Sequence, residues 1–125
     1  MHEVRCIVLD EIELFQALVE FHRFRRQPLP AGQVDHIVLT EDDVSVTACF
    51  TIRDDHGTET AITVAETELA AMVIRYLMER KVPLASQMQK QLIVVEDQLT
   101  LVLHDAKQPF RHGLGRKRAT GKAPP

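Results

Sequence analysis

A chain of 125 residues, 45% hydrophobic and 26% charged, has the size of one ordinary globular domain and can bury a sizeable core. Its formal net charge of −3 and isoelectric point near 6.0 exclude a globally basic nucleic-acid binder. No stretch approaches the roughly 18 apolar residues of a membrane span, and Met1 to Arg5 lacks the start of a signal peptide, so a cytoplasmic protein is the default expectation.

Glu3 to Leu9 is β-branched and apolar, which predicts a strand. Asp10 followed by Glu13 is an acidic capping box and predicts a helix over about Glu11 to Arg26. Its stripe is Leu14, Ala17, Leu18 and Phe21, widened by Phe15 and Val19, and Pro28 stops it. A hairpin follows. With Asp42-Asp43 or its neighbours at the tip, Leu39 faces Val44 and Ile37 faces Val46. Val44, Val46, Ala48, Phe50 and Ile52 then make a core-facing row, while Ser45, Thr47, Cys49, Thr51 and Arg53 point the other way.

Asp54-Asp55-His56-Gly57 is a turn by composition and leads into a strand over Glu59 to Val64, placing Ile62 opposite Phe50 and Glu59 opposite Arg53. Thr67 and Glu68 open a second helix whose stripe is Leu69, Met72, Val73, Tyr76 and Leu77 and whose end is Arg80-Lys81 before Pro83. A closing hairpin with Glu96-Asp97 at its tip pairs Val94 with Leu99 and Leu92 with Leu101.

A shift of 55 positions carries Glu13-Leu14 onto Glu68-Leu69 and Arg26-Gln27-Pro28-Leu29 onto Lys81-Val82-Pro83-Leu84, without a gap. The chain therefore reads as one β-α-β-β unit written twice, with repeats over about 3–49 and 58–104 inside a single domain of residues 1–105. The fold class expected is α+β, a two-layer sandwich of six mostly antiparallel strands and two helices. Numbering strands along the chain, one sheet in the order 2-3-4-1-6-5 fits a pseudo-two-fold arrangement, with 4-3-2-5-6-1 as the alternative. Residues 106–125 have no apolar period and are rich in Gly, Pro and basic residues, so they are read as a basic disordered tail.

The second half, with Glu68-Leu69-Ala70-Ala71, Arg80-Lys81-Val82-Pro83-Leu84, Lys90-Gln91-Leu92 and Leu99-Thr100-Leu101-Val102, resembles a small proteobacterial family that carries no assigned activity. Without its first strand the element order is similar to that of type III secretion chaperones, a resemblance that implies small homodimers binding extended partner segments. The repeated unit also looks like a shortened vicinal-oxygen-chelate module, which would imply a metal held by His and Glu on paired strands. No histidine recurs under the shift, however: His22 falls on Leu77, His36 on Gln91 and His104 on Cys49.

Metal ligands need convergent spacing, which His2, His22, His36, His56, His104 and His112 do not supply, so neither a metal nor another cofactor is expected. The best residual cluster places His36, His104 and Cys49 on one outer sheet face. Cys6 reads as strand packing, and both cysteines read as reduced thiols. Arg25, Arg26, Arg80 and Lys81, joined by Arg23, are candidates for an anion site if the two helix ends converge; the simpler reading is complementation of the helix dipoles. Arg116, Lys117 and Arg118 in the tail are candidates for weak, salt-dependent nucleic-acid contact.

These readings favour a non-enzymatic protein-binding or chaperone-like module, self-associating as a homodimer and using a sheet edge or an outer face that carries Cys49, Thr51, Thr63 and Val102. Weak nucleic-acid contact through the tail and a small enzyme or metal-binding protein are the alternatives.

Overall fold

The computed structural model describes residues 3–105, so Arg116, Lys117, Arg118 and the rest of the tail expectation lie outside the described residues. The elements are β1 (Val4–Leu9), α1 (Glu11–Phe24), β2 (Gln33–Glu41), β3 (Val46–Arg53), β4 (Glu59–Val64), α2 (Glu66–Glu79), β5 (Gln89–Val95) and β6 (Gln98–His104). This is an α+β fold in which the strands are antiparallel and follow β-α-β-β order twice.

The strands form two sheets, β1-β6-β5 and β2-β3-β4, rather than the single sheet expected. Each half lends its first strand to the hairpin of the other: β1 pairs with β6 and β4 with β3. β1 and β4 are therefore not hydrogen-bonded neighbours at a central axis, and the sheets approach each other through β2, β3 and β5. The exchange leaves neither half able to complete a three-stranded sheet by itself. One apolar cluster joins the halves, with Leu14, Leu18 and Phe21 of α1, Leu69, Met72 and Val73 of α2, Phe50 of β3 and Leu101 of β6. Among the described residues no helix is long and apolar enough to cross a membrane.

The second hairpin has the expected register, Val94 opposite Leu99 and Leu92 opposite Leu101. Its two turn residues, Glu96 and Asp97, both have positive φ, as a two-residue turn matched to strand twist requires. The first hairpin differs from expectation. Leu39 faces Ala48 and Ile37 faces Phe50, because Oδ1 of Asp42 accepts hydrogen bonds from the backbone N–H groups of Val44 and Ser45 and holds a longer loop. Val44 is consequently 81% exposed and is not part of the core row, which starts at Val46. The gapless 55-residue shift thus fails at this turn; beyond it, Ala48 corresponds to Leu99, a shift of 51. With that correction the pairing of Val64 with Ala48 matches that of Leu9 with Leu99.

Both helices end earlier than Arg26 or Lys81, and they end alike. After α1 the N–H of Gln27 reaches the carbonyl of His22 and that of Arg26 reaches Arg23; after α2 Val82 reaches Leu77 and Lys81 reaches Met78. This is the Schellman pattern, with its left-handed residue at Arg26 and Lys81. The starts differ. Asp10 and Glu13 form the expected reciprocal capping box, whereas α2 starts at Glu66 behind Ala65, which has no side-chain cap, instead of at Thr67.

Candidate functional site

Three surfaces among the described residues bring polar or exposed apolar side chains together. The first is the groove between the helices. The helices run past each other in opposite senses: Arg25, beyond the end of α1, reaches Glu68 in the first turn of α2 at 2.5 Å, while Tyr76 late in α2 donates to Gln16 at 2.9 Å. Arg80 lies over the Tyr76 ring at 3.6 Å and donates to both carboxylate oxygens of Glu20, at 3.0 and 2.7 Å. Arg75 lies over Phe24 at 3.5 Å and pairs with Glu79 at 3.7 Å.

Glu20 and Tyr76 are shifted for different reasons. The hydrogen bond from Arg80 holds the Glu20 carboxyl below its ordinary value, and burial raises the Tyr76 hydroxyl above its own. Glu20, Arg23, Phe24, Arg75, Glu79 and Arg80 line an open groove of about 530 Å³. Of the proposed anion-binding residues Arg23 and Arg80 line it, and both Arg25 and Arg80 are satisfied by carboxylates of the opposite helix. Arg26 and Lys81 instead occupy the left-handed turns that end the helices. The arrangement cements two helices through stacked, bidentate guanidinium contacts.

The second surface is the outer face of β2-β3-β4. Asp35 sits at an irregularity in β2 and accepts from Arg53, which also pairs with Glu59 across β3 and β4. His36 contacts Asp35 through Nδ1 at 3.2 Å and Thr51 Oγ1 through Nε2 at 3.4 Å. Carboxylate, imidazole and hydroxyl are thus strung in the order of a proton relay. Asp35 is chiefly engaged by Arg53, whose hydrogen bond lowers its pKa most, and the His36 side chain is 54% exposed. The contact that would pass a proton between Thr51 and His36 is the longer of the two that His36 makes, and the imidazole is open to water. The expected cluster of His36, His104 and Cys49 is not formed, because His104 belongs to the other sheet and is buried. Among the described residues no group of three His, Cys, Asp or Glu could hold a metal ion.

The third surface is the edge of β1. Leu9, Ile7 and Arg5 face the core side with Leu99, Leu101 and Leu103, so Val4, Cys6 and Val8 point outward. Val4 is 52% exposed, Val8 49%, and Cys6 is exposed, which overturns its reading as strand packing. Among the described residues the second edge of β1 carries no backbone pairing. Under the 55-residue shift these positions correspond to Glu59, Ala61 and Thr63 on β4, the equivalent edge of the other sheet. That comparison marks Val4 and Val8 as unusual and was available from the sequence alone. Val102, expected on an open face, is fully buried, while Cys49 and Thr51 are half-buried and Thr63 is exposed.

Comparison of the chain with protein-family models, curated proteins and solved structures finds no match.

Proposed function

We propose that the protein is a non-catalytic binding module that holds a protein partner at the open edge of β1. The observation that carries this reading is the contrast between two edges in equivalent positions. β4 presents Glu59, Ala61 and Thr63, whereas β1 presents Val4, Cys6 and Val8. Edge strands normally discourage pairing with charge or polarity, and an apolar unpaired edge offers main-chain hydrogen bonds together with side-chain contacts to an added strand. Free Cys6 and Cys49 fit a reducing compartment such as the cytoplasm.

A photo-crosslinking side chain at position 8, compared with one at position 63, tests the reading in cell extract. A discrete protein adduct from position 8 and none from 63 is expected, and Val4→Lys should abolish it. Equal, diffuse labelling from both positions would defeat the assignment of β1 as the binding edge.

A further inference from the structure

We infer that the strand added at β1 is β1 of a second copy of this chain, paired antiparallel about a two-fold axis that passes beside Cys6. The inference rests on the reading of β1 as the binding edge and names its occupant. It would join two three-stranded sheets into one of six strands, ordered β5-β6-β1 and then β1-β6-β5 of the second copy.

The argument is self-complementarity. The exposed row Val4, Cys6, Val8 is palindromic about Cys6, so an antiparallel pair centred there sets Val4 of each copy against Val8 of the other and Cys6 against Cys6. On the opposite side of the strand Arg5 meets Ile7 and Glu3 meets Leu9, so no like charges are opposed. Neighbouring registers are worse. Centring on Arg5 opposes two guanidinium groups, and centring on Ile7 sets Val4 against Asp10, whose side chain already caps α1. Centring on Val4 pairs Glu3 with Arg5 but leaves both copies of Val8 uncovered.

A single pair of edge strands is a small interface, so the dimer should be reversible and dependent on concentration. Cα atoms of directly opposed antiparallel residues lie about 4.5–5.5 Å apart, within the span a disulfide accepts. The Cys6 pair is therefore a reporter of register.

The test uses the full chain. Sedimentation velocity over a range of concentrations should show reversible dimerisation. With diamide as oxidant, Cys49→Ser should give a disulfide-linked dimer, and Cys6→Ser should not. Val4→Lys combined with Val8→Lys should lower both sedimenting and cross-linked dimer by about tenfold or more, since lysine on an edge strand blocks pairing. If that variant unfolds, Val4→Thr with Val8→Thr serves in its place, and hydrogen exchange of β1 amides in the wild type should slow as concentration rises.

A wild type that sediments as monomer throughout and forms no Cys6 cross-link overturns the inference. So does a dimer that survives the lysine pair or cross-links through Cys49. A monomer that still gives a discrete adduct from position 8 with a different protein removes the self-pairing while sparing the wider reading of β1, and a monomer with neither removes both.

Discussion

Arg26 and Lys81 share one backbone conformation, with φ of 57° and 62°, each just past the C-cap of its helix. The position favours glycine, because a Cβ disfavours the left-handed region by roughly 1 kcal/mol. Arg26→Gly and Lys81→Gly should each stabilise the fold by about 0.5–1 kcal/mol in urea unfolding, less the added entropy of the glycine chain. Arg26→Val, with a branched side chain at the same φ, should destabilise it. A loss of stability in both glycine variants would mean that the two cationic side chains contribute more than their backbones lose.

The helix starts provide a second contrast. Ala65 precedes α2 in extended conformation and supplies no side-chain acceptor, while the Asp10 side chain accepts from the Glu13 N–H at 2.7 Å. Ala65→Asp should raise stability by about 0.5–1 kcal/mol and Asp10→Ala should lower it by about 0.5–2 kcal/mol. Chemical denaturation of the two variants beside the wild type measures both. No gain in Ala65→Asp would show that the first turn of α2 is already saturated by its contacts, among them Glu66 accepting from the Val46 N–H and Glu68 from Arg25.

The two positive-φ glycines should respond unequally to alanine. At Gly32, with φ of 126°, a Cβ would strike the carbonyl of Arg53, which is backbone and cannot turn aside. At Gly57, with φ of 82°, it would meet open space. Gly57→Ala should therefore cost about 1 kcal/mol from backbone conformation alone, and Gly32→Ala several times more. Equal melting temperatures for the two variants would contradict this.

Glu20 supplies a pH-dependent contribution. Its carboxyl is held below its ordinary value of 4.5, first by the hydrogen bond from Arg80, although burial opposes the shift. A depressed carboxylate stabilises the fold above the ordinary carboxylate range, and that contribution disappears as pH falls through the lowered value. The Tm of wild type should thus exceed that of Glu20→Gln at neutral pH, with the gap narrowing as pH falls below the ordinary carboxylate value. Because Glu20 and Arg80 are both partly exposed, salt should narrow it too. A gap independent of pH would assign the effect to shape rather than charge.

What could be read from the sequence depended on how local its causes were. The helices were legible because Leu14, Leu18 and Phe21, or Leu69, Val73 and Tyr76, recur at helical spacing before a proline. The second hairpin was legible because Glu96-Asp97 leaves room for only a two-residue turn. The register of the first is not legible, since the hydrogen bonds of one side chain, Asp42, lengthen its loop and the alternation of Val44 and Val46 does not reveal this. The split into two sheets depends on which distant hairpin each first strand joins. The outward position of Cys6 has a related cause: both faces of β1 are apolar, and only pairing with β6 decides that the face bearing Ile7 and Leu9 lies inward. The helix-end cations were visible, but their consumption by Glu68 and Glu20 required the packing of α1 on α2.

The exchange of first strands also imposes an order on the assembly of the newborn chain. β2, β3 and β4 form a contiguous meander over residues 33–64 and can close soon after they leave the ribosome. β1 leaves the ribosome before any of them, yet its partner β6 is the last strand among the described residues. This apolar strand must wait for β6 through the synthesis of nearly the whole domain. During that interval it is the segment most in need of protection from premature association, and Val4 to Leu9 should be where a nascent-chain chaperone holds this protein.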